Sequence, residues 1–315
     1  MKTSVVLSAY NGEKYILEQL ESIRMQTIPV DEVLIVDDCS TDNTVTICRQ
    51  YIKEQSLTNW SFVINSHNKG FVKNFLDGFN AATGEVIFVC DQDDRWKPNK
   101  VERTMQLFEQ YSNALLVCSG FSRFGEGKVY SSHVKVPHRK RNGIKQVDFD
   151  EFCVFHTYLG MTMAFKKSLL MNHYSDCINY LPYDISLAFL AVIEKGLYYV
   201  DEVLVDRRSY STSTSNKIAS DWVEKEFKGN KFLYGLYRVI GNLKGFHDYI
   251  IRFCPNSEYK KIVESYIEVD EIRYHYYKNK SFMQWSKNCS KVTRLFTFGR
   301  YIKDGIIILK EKLDR

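Results

Sequence analysis

The chain reads Glu-Val-Leu-Ile-Val-Asp-Asp-Cys-Ser-Thr-Asp-Asn-Thr over residues 32–44, an apolar run followed at once by acidic and hydroxyl side chains. The apolar half predicts a buried strand, and the polar half offers a cap for a helix that continues to about Glu54. The same alternation recurs over the first 120 residues and predicts four more strands, near residues 4–8, 62–64, 85–90 and 114–118. Continuous apolar strands separated by helices indicate a mostly parallel sheet flanked by helices, an α/β fold.

The composition is that of an ordinary globular protein. Of the 315 residues, 44% are hydrophobic and 26% are charged, which excludes a disordered or fibrous chain. No apolar run approaches the roughly 20 residues of a membrane span, and no apolar signal segment precedes the first strand. The eight cysteines are scattered without a Cys-x-x-Cys pair, so we expect free thiols and a cytoplasmic protein.

Charge is distributed unevenly along the chain. Residues 214–315 hold 20 Lys and Arg against 12 Asp and Glu, so this region carries a net charge of +8. The whole chain carries only +5, and the rest of the chain is therefore slightly acidic. We therefore predict an α/β domain over residues 1–214, with halves of about 1–118 and 119–214, and a basic helical region over residues 215–315. A basic region indicates an anionic partner, but no RNA- or DNA-binding motif accompanies it, so we predict no nucleic-acid partner.

Polar side chains follow the predicted strands at the ends where parallel sheets bind ligands. Asp37 and Asp38 end the second strand, where a carboxylate can accept a hydrogen bond from a base or simply cap the turn. Ser8-Ala9-Tyr10-Asn11 follows the first strand, and His67-Asn68-Lys69-Gly70 follows the third, either as a ligand contact or as a helix-entry turn. Each signal is weak alone, but their repetition at neighbouring strand ends predicts a binding site.

The strongest signal is Asp91-Gln92-Asp93-Asp94, which directly follows the apolar fourth strand. Three carboxylates within four residues repel one another unless a cation balances them. Mg²⁺ and Mn²⁺ prefer oxygen ligands, and Mg²⁺ typically takes one or two protein carboxylates together with substrate phosphates. An exposed acidic turn is the alternative, but the position after a buried strand favours a metal. Arg95 and Trp96 do not fit a calcium-binding EF-hand, which requires Gly at the position of Trp96.

In combination these motifs closely resemble the family-2 glycosyltransferases with the GT-A fold. The resemblance is carried by residues 5–12, 36–42, 68–70 and 91–96, and it covers roughly residues 1–215. The Asp-Gln-Asp-Asp-x-Trp form looks most like the bacterial rhamnosyltransferase branch. The resemblance implies an inverting enzyme of bacterial surface polysaccharide synthesis. Such an enzyme moves a sugar, L-rhamnose from dTDP-rhamnose in that branch, from a nucleotide diphosphate donor to a hydroxyl of a glycan or lipid-linked acceptor.

The resemblance also implies a role for each matching position. The implied nucleotide and donor contacts are Ala9, Tyr10, Asn11, Asp38, Lys69, Asp91, Asp93 and Arg207. The implied ligands of a Mn²⁺ or Mg²⁺ ion are Asp93 and Asp94. Asp184 falls on the position whose carboxylate deprotonates the acceptor, although an ordinary helix N-cap explains this residue equally well. Residues 204–209 keep only the leucine and Arg207 of the family's terminal motif.

Other functions stay open at this point. A UDP-hexose or UDP-N-acetylhexosamine transferase of the same fold would carry the same motifs. Nucleotidyl transfer usually requires a Gly-rich phosphate loop with a basic residue after the first strand, where Asn11-Gly12-Glu13 stands instead. A non-catalytic carbohydrate-binding or scaffold protein is the alternative of another class, and the intact carboxylates argue against it.

An apolar stripe steps through the end of the chain at intervals of three or four residues: Leu295, Phe298, Ile302, Ile306, Leu309 and Leu313. With basic residues around it, the stripe suits a helix lying peripherally on the inner face of an anionic membrane, near a lipid-linked acceptor. It suits equally a helix that packs on the catalytic domain or on a second subunit. We favour packing, because it is the commoner arrangement.

Overall fold

The structure is a computed structural model that describes residues 1–125, 143–171, 174–210, 223–228, 230–296, 302 and 304–306. These residues form two compact units, one that ends at Tyr210 and one that lies after it. The first unit is a mixed, mostly parallel sheet flanked by helices, and the second is helical. The predicted α/β fold with a helical C-terminal region is therefore confirmed.

The strands of the first unit are β1 (Thr3–Ala9), β2 (Glu32–Asp37), β3 (Trp60–Ile64), β4 (Val86–Asp91), β5 (Arg95–Trp96), β6 (Leu116–Phe124), β7 (Ile144–Gln146), β8 (Met163–Lys166) and β9 (Leu197–Arg208). Its α-helices are α1 (Ile16–Arg24), α2 (Thr44–Glu54), α3 (Phe71–Ala81), α4 (Lys100–Gln110), α5 (Phe149–Val154), α6 (Tyr174–Cys177) and α7 (Tyr183–Ile193). Two 3-10 helices, Gly160–Thr162 and Lys167–Met171, flank β8. The second unit contains α8 (Lys231–Phe253), α9 (Tyr259–Lys278), α10 (Phe282–Lys287) and α11 (Cys289–Leu295).

The strands form one sheet in the order β3-β2-β1-β4-β8-β6-β9-β5, and β7 also pairs with β9. The strands β3, β2, β1 and β4 are parallel, as their apolar sequences predict. Beyond β4 the sheet is mixed, because β8 runs antiparallel between β4 and β6. The fifth predicted strand is consequently not the neighbour of the fourth.

The apolar runs form the core as expected. Val5, Leu7, Ile35 and Phe88 are fully buried on one face of the sheet. On the other face α3 approaches β1 so closely that a Cβ atom at Gly78 would overlap the side chain of Val6. The eight cysteines are free thiols, as predicted from their scatter.

Strand β6 extends well beyond the apolar run 114–118 that predicts it. Strand β6 continues to Phe124, because β9 pairs with it as far as Arg208, with a shift in register around Gly120. A local sequence pattern does not reveal this partner, which lies more than 80 residues further along the chain. The sequence also contains a basic run, His-Arg-Lys-Arg over residues 138–141, which lies outside the described residues.

A buried ionic cluster organises the second unit. The Arg273 guanidinium, 1% exposed, binds the carboxylates of Asp270 at 2.5 Å and Asp304 at 2.8 Å. The hydroxyls of Tyr276 and Tyr277 donate to the same Asp304 carboxylate at 3.0 and 2.7 Å. Because a buried charge is costly unless it is paired, this cluster holds residues 304–306 against α9.

The cluster decides which side of the last described turn faces inward. Asp304 and Gly305 are buried, whereas Ile302 and Ile306, one turn apart, are 39% and 49% exposed. These two members of the apolar stripe are therefore not buried within the second unit, and whether the stripe packs on another protein surface or lies on a membrane stays a prediction. Leu295 is half-buried, and the other members of the stripe lie outside the described residues. Within the part of the chain described here, no helix combines the length and apolarity needed to cross a bilayer.

Candidate active site

The carboxyl ends of β1, β2 and β4 meet at one edge of the sheet, since Ala9 pairs with Asp37 and Ser8 with Asp91. Ala9 is fully buried, and its carbonyl accepts a hydrogen bond from the Asp38 N–H at 2.8 Å. The next residue, Tyr10, is 46% exposed, so its ring is open to a ligand. The predicted strand-end residues thus lie together, and the first loop offers Tyr10 as an accessible aromatic side chain.

The loops after β1 and β2 are joined by side-chain hydrogen bonds. The Asn11 side-chain oxygen accepts from the Thr41 N–H at 2.8 Å, and the Ser40 hydroxyl accepts from the Asn11 N–H at 2.9 Å. Two residues further on, the Glu13 carboxylate accepts from the Asn43 N–H at 3.0 Å. Asn11, predicted as a nucleotide contact, therefore uses its side chain to hold the two loops together.

Asp38 fixes the loop that follows β3. It is 2% exposed, and its carboxylate accepts hydrogen bonds from the backbone N–H groups of Lys69 and Gly70, each at 2.8 Å. The Asn65 side-chain amide donates to the same carboxylate at 3.0 Å. Gly70 takes a positive φ of 82°, a conformation that glycine adopts without strain. The predicted contact between Asp38 and a base stays a prediction.

Two carboxyl groups of the acidic motif at the end of β4 have raised pKa values. Burial, the charge of Asp93 and that of Asp184 raise the pKa of Asp91 to about 7, although the Arg207 guanidinium opposes the shift. Burial and the charges of Asp91 and Asp93 also raise the pKa of Asp94 well above its usual range. One carboxylate oxygen of Asp94 accepts from the Arg208 N–H at 2.8 Å. The other is buried and has no hydrogen-bond partner within the described residues.

These features fit a divalent cation. The second carboxylate oxygen of Asp94 is buried beside two more carboxylates and has no hydrogen-bond partner within the described residues. A buried carboxylate normally requires a hydrogen bond or a positive charge, and a bound cation would supply one. Among the described residues, no group of three or more His, Cys, Asp or Glu side chains is arranged so that it could hold a metal ion by itself. A cation here would therefore use Asp93 and Asp94 and share its other positions with phosphate oxygens and water.

The chain segment at the end of β9 sits directly on the acidic motif. The Arg208 guanidinium donates to the Asp93 carbonyl at 2.9 Å, and the Tyr210 hydroxyl donates to the Asp93 carboxylate at 2.6 Å. Neither residue was among the predicted site residues, because more than 110 residues separate them from the motif. The one sequence signal was Arg207, whose charge lowers the pKa of Asp91 and Asp94.

An aromatic ring in contact with two guanidinium groups supports this segment. The Phe124 ring lies 3.9 Å from the Arg95 guanidinium and 4.3 Å from that of Arg208, measured to the ring centroid. Glu18 of α1 forms ion pairs with both arginines. The four elements that meet here, α1, β5, β6 and β9, come from distant parts of the sequence, so no local pattern predicts the arrangement.

The Lys69 side chain is paired within the described structure with a carboxylate of α3. Its ammonium group forms an ion pair with Asp77 of α3 at 2.7 Å, and Asp77 also pairs with Lys73. Its backbone N–H, by contrast, binds Asp38. Whether the Lys69 side chain also contacts a donor diphosphate stays a prediction.

Asp184 lies in the first turn of α7. The N-cap residue of this helix is Pro182, so the interpretation of Asp184 as the N-cap is wrong. The preceding Tyr183 is buried and stacks on Phe75 of α3, with ring centroids 4.9 Å apart. A Cβ atom at Gly160 would overlap the Tyr183 hydroxyl, so the ring is enclosed on that side as well. Tyr183 thus fixes the start of α7 and, with it, the Asp184 carboxylate, whose charge acts on Asp91.

Comparison with known proteins identifies the class to which this fold and site belong. Residues 4–173 of the 315 match the model of glycosyl transferase family 2. The match covers more than half of the chain, and the chain belongs to this family of glycosyltransferases.

Curated relatives match parts of the chain. An uncharacterized glycosyltransferase of Nostoc sp. is 39% identical over 109 residues, which are 35% of this chain and 33% of that protein. The poly(ribitol-phosphate) β-N-acetylglucosaminyltransferase TarS of Staphylococcus aureus is 35% identical over 120 residues, which are 37% of this chain and 21% of that protein. The matched stretches thus span a third or less of the length of these two relatives.

Solved structures of the same fold extend over nearly the whole chain. TarS residues 1–349 in complex with UDP-GlcNAc give a TM-score of 0.61 at 18% identity, covering 96% of this chain and 81% of that one. The mannosyltransferase PcManGT of Pyrobaculum calidifontis in complex with GDP-Man and Mn²⁺ gives 0.52 at 15% identity, covering 97% and 86%. These similarities confirm the GT-A type of fold.

Proposed function

We propose that this glycosyltransferase is a metal-dependent, inverting enzyme that uses a nucleoside diphosphate sugar to glycosylate a hydroxyl of a glycan or lipid-linked acceptor. The observation that carries the proposal is the buried Asp94 carboxylate oxygen without a partner, beside Asp91 and Asp93. A bound Mg²⁺ or Mn²⁺ would neutralise the charge that develops on the departing diphosphate. The Arg207 guanidinium, which acts on the same carboxylates, adds a second positive charge there.

Asp184 is the proposed general base. In a single displacement, the acceptor oxygen bonds to the anomeric carbon while the bond from that carbon to the diphosphate oxygen breaks. The electron pair leaves with the diphosphate, and the hydroxyl proton passes to the Asp184 carboxylate. Attack from the side opposite the leaving group inverts the anomeric carbon. The charge of Asp184 raises the pKa of Asp91, which indicates that the proposed base lies near the carboxylates that would hold the donor and supports this role.

The nucleoside would lie over the loops after β1 and β2, against the exposed Tyr10 ring. Since three hydrogen bonds occupy the buried Asp38 carboxylate, we infer that Asp38 acts mainly by holding the Lys69–Gly70 backbone in place. Two candidate sugar donors are supported by different observations. The Asp-Gln-Asp-Asp-x-Trp motif favours dTDP-rhamnose, whereas the similarity to TarS, which was solved with UDP-GlcNAc, favours a UDP-N-acetylhexosamine.

A donor screen tests the proposal. Release of nucleoside diphosphate is followed from dTDP-rhamnose, UDP-glucose and UDP-GlcNAc, with Mn²⁺, with Mg²⁺ and with EDTA. Slow transfer to water supplies turnover without a known acceptor. We expect one donor to be consumed, and only when a metal ion is present. Binding of a sugar without release of any nucleoside diphosphate would indicate a carbohydrate-binding scaffold instead.

We also propose that the second unit docks on an anionic membrane surface. The exposed side chains of Ile302 and Ile306 form an apolar strip in a basic region, the combination that interfacial helices use. The same strip is the surface that a second copy of the chain would cover if it self-associated. A membrane surface is favoured because the positive charge of residues 214–315 matches anionic lipid.

Flotation with phosphatidylglycerol vesicles at low salt tests the membrane proposal. We expect Ile302→Glu and Ile306→Glu, combined, to reduce binding about tenfold or more, since each substitution places a charge at the apolar interface. Ile251→Glu is the matched control, because Ile251 is also an exposed isoleucine of the second unit, at 45%. If the unaltered protein does not bind, or if the control loses binding equally, the proposal is wrong.

A further inference from the structure

The side chain of Gln92 joins two walls of the site that are far apart in sequence. Its amide nitrogen donates to the Tyr10 carbonyl at 2.9 Å, and its amide oxygen accepts from the Tyr10 N–H at 2.8 Å. The regular pairing of β1 with β4 ends at Ser8 and Asp91. Gln92 therefore extends the pairing beyond the strand end, with its side-chain amide in place of a peptide group.

Gly12 leaves the space that this arrangement needs. A Cβ atom at position 12 would overlap the Gln92 side-chain amide. The backbone cannot easily move aside, because the Gly12 N–H donates to the Thr44 hydroxyl at 2.7 Å. The loop after β1 is thus held from one side by Gln92 and from the other by Thr44.

We propose that Gln92 is a positioning residue that sets the distance between the nucleoside-binding loop at Tyr10 and the diphosphate-binding carboxylates. Gln92 stands between Asp91 and Asp93 in the chain, so a shift of Tyr10 relative to Gln92 is a shift relative to the acidic motif. A nucleoside diphosphate touches both walls at once, and its affinity depends on their spacing. The inference rests on the proposed function and deepens it. It assigns to one side-chain amide the task of holding the two walls of the site at a fixed distance.

A double-mutant cycle isolates this amide. Calorimetry with UDP and with dTDP, in excess Mn²⁺, is carried out on the unaltered protein, on Gln92→Ala, on Gly12→Ala and on the double variant. We expect each single substitution to weaken nucleotide binding about tenfold, the loss of two neutral hydrogen bonds. The double variant should be no weaker than Gln92→Ala, because the overlap at Gly12 exists only when the Gln92 amide is present.

Two further readouts separate positioning from general stability. Gln92→Glu keeps one accepting oxygen but sets the other against the Tyr10 carbonyl, so it should bind nucleotide at least as weakly as Gln92→Ala. The donor KM should rise while kcat at saturating donor changes less than about threefold. Gln50→Ala, which removes a surface glutamine bonded to Glu54, is the matched control and should change neither.

The possible outcomes distinguish a failure of this inference from a failure of the proposed function. If the unaltered protein binds neither UDP nor dTDP, the proposed function fails, and the inference fails with it. If the unaltered protein binds and Gln92→Ala binds equally well, only the role of Gln92 is overturned. Additive effects of the Gly12 and Gln92 substitutions would overturn it as well, because they would show that the two residues act independently.

Discussion

Asp184→Asn is expected to lower kcat about 10²–10⁴-fold while nucleotide affinity changes less than about threefold. The amide cannot take the proton of the acceptor hydroxyl, and general-base catalysis contributes a factor of this size. The substitution preserves the local structure, because the Asn oxygen can still accept from the Ile185 N–H, which binds Asp184 at 2.9 Å. Steady-state rates with the donor selected by the screen, and calorimetry with its nucleoside diphosphate, measure the two quantities.

Asp148→Asn is the matched control for this substitution. Asp148 also lies at the start of a helix, where it is the N-cap of α5 and accepts from the Glu151 N–H at 2.7 Å. Asn is a good N-cap, so both stability and rate should be retained. Full transfer by Asp184→Asn would mean that another group accepts the proton, and the assignment of the base would then be withdrawn.

Asp94→Asn is expected to reduce metal-dependent turnover about 10²-fold or more and to leave the metal-free protein at least as stable as before. The rate falls because the cation that balances the leaving diphosphate loses a charged ligand. Stability is retained because burial already disfavours the charged form of Asp94, as its raised pKa indicates. A neutral amide of the same shape removes that cost. Thermal unfolding in EDTA and a Mn²⁺ titration of the rate measure the two effects.

The control for Asp94→Asn is Asp31→Asn, at the opposite end of β1. Asp31 accepts from the Thr3 N–H at 2.7 Å and hydrogen bonds lower its pKa, so the charged form stabilises the fold there. The control should lose stability and keep its rate at saturating Mn²⁺, the reverse of the expected result at Asp94. Unchanged Mn²⁺ dependence in Asp94→Asn would contradict a metal site at this position.

The sequence predicted those parts of the fold and site that depend on local pattern. The strands β1, β2 and β4 follow from apolar runs, and the positions of Asp38 and Asp91–Asp94 follow from the ends of those runs in a parallel sheet. The carboxyl ends of parallel strands all lie at the same edge of the sheet. The approximate location of the site was therefore predictable before any coordinates.

The parts that were missed depend on partners far away in the chain. Arg208 and Tyr210 bind the acidic motif across more than 110 residues, and Gln92 binds Tyr10 across 82. Polar side chains of this kind look like ordinary surface residues in the sequence. The sequence likewise did not reveal that the buried carboxylate of Asp304 fixes which side of the last described turn is buried, because Asp304 binds Arg273 across 31 residues.

Shortening this protein from its C-terminus would disturb more than a peripheral tail. A chain that ends before Asp304 leaves Arg273 with one carboxylate instead of two, and the hydroxyls of Tyr276 and Tyr277 lose their shared acceptor. Buried donors without acceptors cost about 1–3 kcal/mol each, a large part of the stability of a domain. Proteolytic trimming or truncation at residue 300 would thus yield an aggregation-prone protein, and loss of membrane binding in such a variant would reflect unfolding rather than a missing lipid contact.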